Sequence, residues 1–116
     1  MKIRIKGNSI RYRLSKTDVD VFIKTGSLEE TVDFGSQKLI YALKKTLELT
    51  LSASFEQNII TLNMPQVMAD EWDTTETVGF NGVDGKLSLL IEKDFQCLDN
   101  VAEDQADNYP NPALVC

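Results

Sequence analysis

The sequence predicts an α+β protein with a mostly antiparallel, twisted sheet of about eight short strands and two short helices. Short stretches in which apolar and polar residues alternate predict most of the strands. Two other stretches have apolar residues at helical spacing, and turn-forming residues separate the elements at short intervals. This pattern fits neither a doubly wound parallel sheet nor a helical bundle. The sheet is expected to stay open or to curl into a barrel, with the helices over an open end or one face.

The first two predicted strands lie at the N-terminus. Residues 2–6 and 10–14 alternate strictly between polar and apolar side chains, and residues 7–9 between them have the composition of a turn. The sequence therefore predicts a pair of strands with one apolar and one polar face. The apolar face carries Ile3, Ile5, Ile10, Tyr12 and Leu14.

A short helix is predicted next. Ser15 and Asp18 resemble a capping box, although Asp replaces the preferred Glu at the second position. Gly26 is suited to end the helix because glycine adopts the left-handed conformation without a steric penalty. The predicted apolar face consists of Val19, Phe22 and Ile23.

The middle of the chain predicts four more strands, over residues 28–34, 38–43, 47–55 and 59–63. Residues 38–48 also fit a helix, but the strict alternation that follows favours a strand. In this interpretation the longest alternating strand has an inward set of Leu47, Leu49, Leu51, Ala53 and Phe55.

A second short helix and a hairpin complete the predicted body. Pro65 fits the first position of a helix that runs to Trp72, with Val67 and Met68 on the same face as Trp72. Residues 78–81 and 86–91 form a hairpin around a glycine-containing turn. No internal repeat is visible. The side chains expected in the core are Tyr12, Phe22, Leu51, Phe55, Leu62, Trp72, Leu89 and Ile91.

The chain of 116 residues is expected to form one globular domain over residues 1–98, followed by an acidic, proline-containing tail over residues 99–116. The tail is predicted to dock on the body, because aromatic and proline residues give it apolar anchors. Cys97 and Cys116 are expected either as two reduced thiols or as a disulfide that fixes the tail. A signal peptide is not predicted, and the longest apolar run has five residues, so a cytoplasmic location is expected.

The composition excludes several classes of function. A net charge of -6 argues against a nucleic-acid or membrane-surface binder, whose binding surface is usually basic. The chain has no histidine, which excludes Ser-His-Asp catalysis and histidine-based zinc sites. The acidic residues do not follow a calcium-binding pattern, and the glycines around residue 82 do not have the spacing of a phosphate-binding loop. We therefore predict no catalytic residue, no metal site and no cofactor.

One charged group stands out from this background. In the two N-terminal strands every position off the apolar face is basic, and alternation places these residues on a single sheet face. Because neighbouring like charges repel, something is expected to compensate them. The candidates are solvent and salt, an anionic ligand, or acidic groups of the protein itself. The predicted anion-binding residues are Lys2, Arg4, Lys6, Arg11 and Arg13.

Both ends of the chain are similar to those of a known family. The opening Met-Lys-Ile-Arg-Ile-Lys-Gly-Asn-Ser-Ile-Arg and the closing Glu-Lys-Asp-Phe-Gln-Cys-Leu-Asp, followed by Asp-Asn-Tyr-Pro-Asn-Pro, resemble a family of small uncharacterised bacterial proteins, chiefly from Bacteroidetes. The resemblance spans the whole chain and implies a cytoplasmic domain that stands alone. It implies no activity, cofactor or site residue.

Three functions are compatible with these observations. The first is a non-enzymatic binding or interaction module that uses the basic N-terminal face for an anionic ligand or a protein partner. The alternative is a small enzyme that acts on phosphorylated or polyanionic substrates in a barrel lined by basic side chains, which rests on analogy between folds. The third is a domain whose basic face is covered by its own acidic tail.

Overall fold

The structure is a computed structural model and describes residues 1–95. Its elements confirm an α+β protein with eight strands and two helices. In chain order they are β1 (Lys2–Lys6), β2 (Ser9–Leu14), α1 (Lys16–Thr25), β3 (Ser27–Asp33), β4 (Lys38–Thr46), β5 (Ser52–Glu56), β6 (Ile59–Pro65), α2 (Gln66–Thr74), β7 (Gly79–Asp84) and β8 (Leu87–Lys93). The ambiguous residues 38–48 are therefore strand for most of their length.

The strands form two four-stranded sheets instead of one. Sheet A has the order β1-β2-β8-β7 and sheet B the order β3-β4-β6-β5. In each sheet the outer pairs are antiparallel, whereas the two central strands are parallel. The expected single sheet is thus wrong, whereas four of the six strand pairs are antiparallel, as expected of a mostly antiparallel sheet. The barrel is also wrong, since both sheets remain open.

The chain is built from two similar halves. The order β1-β2-α1-β3-β4 is repeated as β5-β6-α2-β7-β8. In β1–β2 Lys2 lies opposite Arg13, and in β5–β6 Ser52 lies opposite Asn63, so these hairpins share one register with a spacing of fifty residues. Each sheet takes one hairpin from each half, and a pseudo-twofold axis therefore relates sheet A to sheet B. Few residues are identical at equivalent positions of the two hairpins, so the duplication is not visible as a sequence repeat.

The registers of the other strands give the remaining equivalences. β2 pairs with β8 as Ser9 with Ser88, and β6 pairs with β4 as Ile59 with Ile40. Ser88 is thus equivalent to Ile40, and the corresponding argument for the outer pairs makes Gly79 of β7 equivalent to Ser27 of β3. Every strand of one half therefore has an equivalent strand in the other half.

The core lies between the inward faces of the two sheets and beneath both helices. Tyr12 of sheet A makes an edge-on ring contact with Tyr41 of sheet B, and its hydroxyl donates to the carbonyl oxygen of Ile60 over 3.2 Å. The helices close one end of the space between the sheets, and the four hairpin turns lie at the other end. The buried cluster contains Tyr12, Leu14, Val19, Phe22, Leu43, Leu51, Leu62, Met64, Ala69, Trp72, Leu89 and Ile91.

The two helices agree with the prediction to different degrees. In α1 the capping box of Ser15 and Asp18 is present, and Gly26 ends the helix with a φ of 80°. In α2 Pro65 is the N-cap and not the first helical residue, and Val67 is 61% exposed. Trp72 is buried as predicted, Met68 packs partly buried against the core, and Ala69 completes the buried face in place of Val67. Within residues 1–95 neither helix is long and apolar enough to cross a membrane.

The predicted burial of Phe55 is wrong. Phe55 is 66% exposed, although Leu51 and Ala53 of the same alternating set do face the core. Phe55 lies next to the last residue of β5, which is an edge strand, and its equivalent Ile5 at the same place in the edge strand β1 is 57% exposed. The other seven residues expected in the core are buried. Leu47 and Leu49 precede β5 and are also exposed.

Candidate functional site

The five predicted anion-binding residues lie on one surface of sheet A. In the β1–β2 hairpin Lys2 lies opposite Arg13, and Arg4 lies opposite Arg11. Because alternate side chains share a face of a sheet and Tyr12 points into the core, these side chains point outward. We call this outward group, which consists of Lys2, Arg4, Lys6, Arg11 and Arg13, the basic face.

Local sequence explains why this hairpin forms. Gly7, with a φ of 54°, lies in the two-residue turn, where glycine adopts a positive φ without strain. Asn8 donates from its side-chain amide to the carbonyl oxygen of Lys86 over 2.6 Å, which ties the turn to the hairpin β7–β8. The strands on both sides of the turn therefore stay in one register.

An acidic residue of the neighbouring strand lies among these cations. Glu92 of β8 is the register partner of Arg13, and Nε of Arg13 donates to Oε1 of Glu92 over 2.8 Å. Nε of Arg11 lies 3.8 Å from the same oxygen. All three side chains are largely shielded from solvent, with exposed fractions between 21% and 36%. The two arginines thus hold one carboxylate between them.

A second carboxylate contacts the other end of the hairpin. Nζ of Lys2 lies 2.9 Å from Oδ2 of Asp94, which follows β8, and the Lys2 side chain is 76% exposed. Within residues 1–95, the carboxylates of Glu92 and Asp94 thus contact three of the five cations of the basic face.

Acidic groups of the protein itself were among the expected ways to compensate the cations, and Glu92 and Asp94, the first two acids of the acidic C-terminal part of the sequence, are such groups. Glu92 belongs to a central strand of sheet A and Asp94 follows it directly. Their position depends on the parallel pairing of β2 with β8, which joins residues far apart in the chain and leaves no local signal. The predicted docking of the tail and the state of both cysteines lie outside the described residues.

Within the part of the chain that the structure describes, the basic face lies on a sheet surface and not in an enclosed pocket. A depression of about 440 Å³ adjoins Arg11, and Leu90 and Val83 are among its lining residues. The enzyme alternative required basic side chains that line a barrel, whereas the sheets are open and these side chains point outward. Among residues 1–95 there is no group of three or more acidic or cysteine side chains that could hold a metal ion.

A separate charged cluster fixes the start of the chain. The Met1 ammonium lies 2.8 Å from Oδ2 of Asp18 and 2.9 Å from Oε2 of Glu30. The Tyr41 hydroxyl donates to the Met1 carbonyl oxygen over 3.0 Å. These contacts connect the start of β1 to α1 and to sheet B, so they stabilise the position of the hairpin that carries the basic face.

The cluster changes the proton affinities of its members. Burial alone would lower the pKa of the Met1 ammonium, but the hydrogen bonds and charges of Asp18 and Glu30 outweigh it and raise that pKa above 8.0. Burial alone would raise the pKa of Asp18, but hydrogen bonds from the ammonium and from Ser15 lower it below 3.8. Burial, together with the charges of Glu30 and Asp18, raises the pKa of the Tyr41 hydroxyl.

Comparison with known proteins adds one match. A family described as a family of unknown function (DUF7009) matches residues 1–113. No curated protein matches the chain. No solved structure matches it either. This match agrees with the sequence analysis, in which both ends of the chain resemble an uncharacterised family.

Proposed function

Since the chain belongs to this family of unknown function, we propose its function from the structure: it is an interaction module whose basic face binds an anionic partner. The basic face lies on the outward surface of sheet A, which suits a partner that is bound from outside. The net charge of -6 over the chain favours a local acidic group of another protein over an extended polyanion such as nucleic acid.

The internal duplication carries this proposal. The hairpin β5–β6 has the same register as β1–β2 and the same edge position in its sheet, yet it contains no basic residue. The hairpin fold therefore does not require cations at these positions. In the order of the basic face, the equivalent residues are Ser52, Ser54, Glu56, Thr61 and Asn63.

The cations also have an energetic cost. Arg4 lies directly opposite Arg11 across the two strands, and like charges at directly opposite positions destabilise a sheet. Binding of an anion between the two arginines would offset this repulsion. Arg11 and Arg13 already contact one carboxylate, that of Glu92, and guanidinium groups bind carboxylates and phosphates with matched geometry.

The test is a thermal melting assay of the full chain at low salt with triphosphate and with polyglutamate. Binding to the folded state raises the melting temperature. Arg4→Ser and Arg11→Thr, which copy the equivalent residues of β5–β6, should remove this rise. Lys44→Ser is the matched control, because Lys44 is an exposed cation on a strand of sheet B. An unchanged melting temperature with both polyanions would contradict the proposal.

A further inference from the structure

The outer edge of β1 differs from the equivalent edge in the other half. β1 and β5 are both edge strands, and edge strands present backbone N–H and C=O groups that can pair with another chain. On β5 the N–H of Ala53 donates to Oδ2 of Asp84 over 3.0 Å. Because this N–H points away from β6, the shared register makes the N–H of Ile3 point away from β2.

Among residues 1–95, the carboxylate that covers the β5 edge has no counterpart at β1. The position equivalent to Asp84 is Val32, whose side chain cannot accept a hydrogen bond and is 41% exposed. Ile5 follows Ile3 by two residues, so its N–H also points outward. Within residues 1–95 no backbone hydrogen bond joins β1 to an element other than β2. This edge is therefore able to accept an added strand.

The side chains along the edge specify what kind of strand fits. On the outer side, Lys2, Arg4 and Lys6 lie along β1 and are exposed. On the inner side, Ile5 is 57% exposed and Val32 lies on the adjacent edge of sheet B. Successive side chains of an added strand would alternate between these two sides. Acidic residues would then face the cations, and apolar residues would face Ile5.

We propose that β1 binds an extended acidic segment of a partner protein as an additional strand of sheet A, with acidic and apolar residues in alternation. This inference rests on the proposed function of the basic face and adds the class of partner and the mode of binding. A second copy of the chain is a poor partner, because β1 against β1 would bring cations opposite cations. The cations thus oppose self-association and select an acidic strand.

The experiment measures amide hydrogen exchange by NMR on the full chain. The probe is a capped peptide with the sequence Glu-Val-Glu-Val-Glu-Val-Glu, and the control peptide has the same composition with the glutamates and valines in two blocks. The alternating peptide should slow the exchange of the Ile3 and Ile5 amides by about tenfold or more at saturation, because strand addition gives both N–H groups an acceptor. The control peptide should not slow it.

Two proline variants test the mode of binding separately. Ile5→Pro removes an N–H that is not part of the β1–β2 ladder, so the hairpin keeps its own hydrogen bonds. Phe55→Pro is the matched control at the equivalent position of β5. Ile5→Pro should abolish binding of the alternating peptide, whereas Phe55→Pro should preserve it. Neither variant should alter the rise in melting temperature with triphosphate.

The outcomes separate this inference from the proposed function. If the peptide binds and the Ile3 and Ile5 amides still exchange as before, strand addition is wrong while anion binding stands. If both amides are already protected without peptide, the edge is occupied by the chain itself or, where protection depends on concentration, by a second copy, and the inference is overturned. If Ile5→Pro does not fold, the exchange rates of the Ile3 and Ile5 amides in the unmodified chain decide whether the peptide binds as an added strand.

Discussion

Met1 and Leu51 occupy equivalent positions directly before β1 and β5, but different forces hold them in place. Leu51 is 3% exposed and packs in the core, close to Gly82, where an added Cβ would lie 3.4 Å from the Leu51 side chain. At the position of Gly82 the other half has Glu30, which binds the Met1 ammonium. A charged contact thus replaces an apolar one at the equivalent point of the fold.

The Met1 cluster predicts a loss of stability at alkaline pH. Because the pKa of the Met1 ammonium is higher in the folded chain than its ordinary value of 8.0, its contribution is fully present below pH 8 and is lost as the pH rises through the folded pKa. Urea unfolding between pH 7 and pH 10 should show this decrease. A chain acetylated at Met1 lacks the titrating amine and should be less stable at pH 7, with a smaller decrease. Equal slopes for both chains would contradict the prediction.

Asp18 predicts a loss of stability at acidic pH. Its pKa is lower in the folded chain than the ordinary value of 3.8, so its contribution is present above that value and is lost as the pH falls through the folded pKa. The variant Asp18→Asn should therefore lose less stability on acidification than the unmodified chain. Asp20→Asn is the control, since Asp20 is an exposed acid of the same helix.

Replacement of Glu92 should have opposite effects on stability and on binding. Glu92→Gln removes the carboxylate that Arg11 and Arg13 share, and partly exposed ion pairs of this kind contribute about 0–1 kcal/mol. We expect a small decrease in the free energy of unfolding together with tighter binding of triphosphate, measured by calorimetry. Glu56→Gln, at the exposed end of β5, should change neither quantity. Weaker binding of triphosphate to Glu92→Gln would show that Glu92 is not a competitor for the site.

Two residues of one alternating stretch should respond very differently to truncation. Leu51→Ala should destabilise the protein by about 2–5 kcal/mol, because it leaves a cavity in the core. Phe55→Ala should change the free energy of unfolding by less than about 0.5 kcal/mol, because its side chain is mostly exposed. Chemical denaturation of both variants measures the difference. A large effect at Phe55 would mean that another surface covers this edge.

The acidic C-terminal segment is predicted to affect both stability and binding. After Lys93 the chain contains five acidic residues and no basic residue, so this segment is expected to compete for the basic face. Truncation after Leu98 should lower the melting temperature and strengthen the response to triphosphate. If the shortened chain melts like the full chain and binds triphosphate no better, the segment neither docks nor competes.

Local signals in the sequence predicted most elements, and long-range pairing explains what they missed. The capping box at Ser15 and the alternation around Tyr12 act over a few residues, and the structure has both. The exposure of Phe55 depends on the edge position of β5 in its sheet, and the contact between Arg13 and Glu92 depends on strands from the two ends of the described chain. Neither can be recognised from neighbouring residues.

The duplication was missed for a related reason. The two hairpins share few residue types beyond Ile10 with Ile60 and Asn8 with Asn58. The fold constrains the inward apolar pattern and the turn, and it leaves the outward positions variable. The basic residues, which are the candidate site, lie at those variable positions, so the sequence predicted their common face from alternation alone.

The exchange of hairpins between the two halves also determines when the chain can fold during synthesis. Ser9 of β2 pairs with Ser88 of β8, so sheet A cannot form until almost the whole described chain has left the ribosome. At about 5–20 residues per second, the first hairpin waits on the order of 4–16 s for its partner strand. During that time its apolar face is exposed to other nascent chains. Charged residues along such a strand oppose aggregation. Lys2, Arg4 and Lys6 would therefore keep the nascent chain from aggregating before they form part of the basic face of the folded protein.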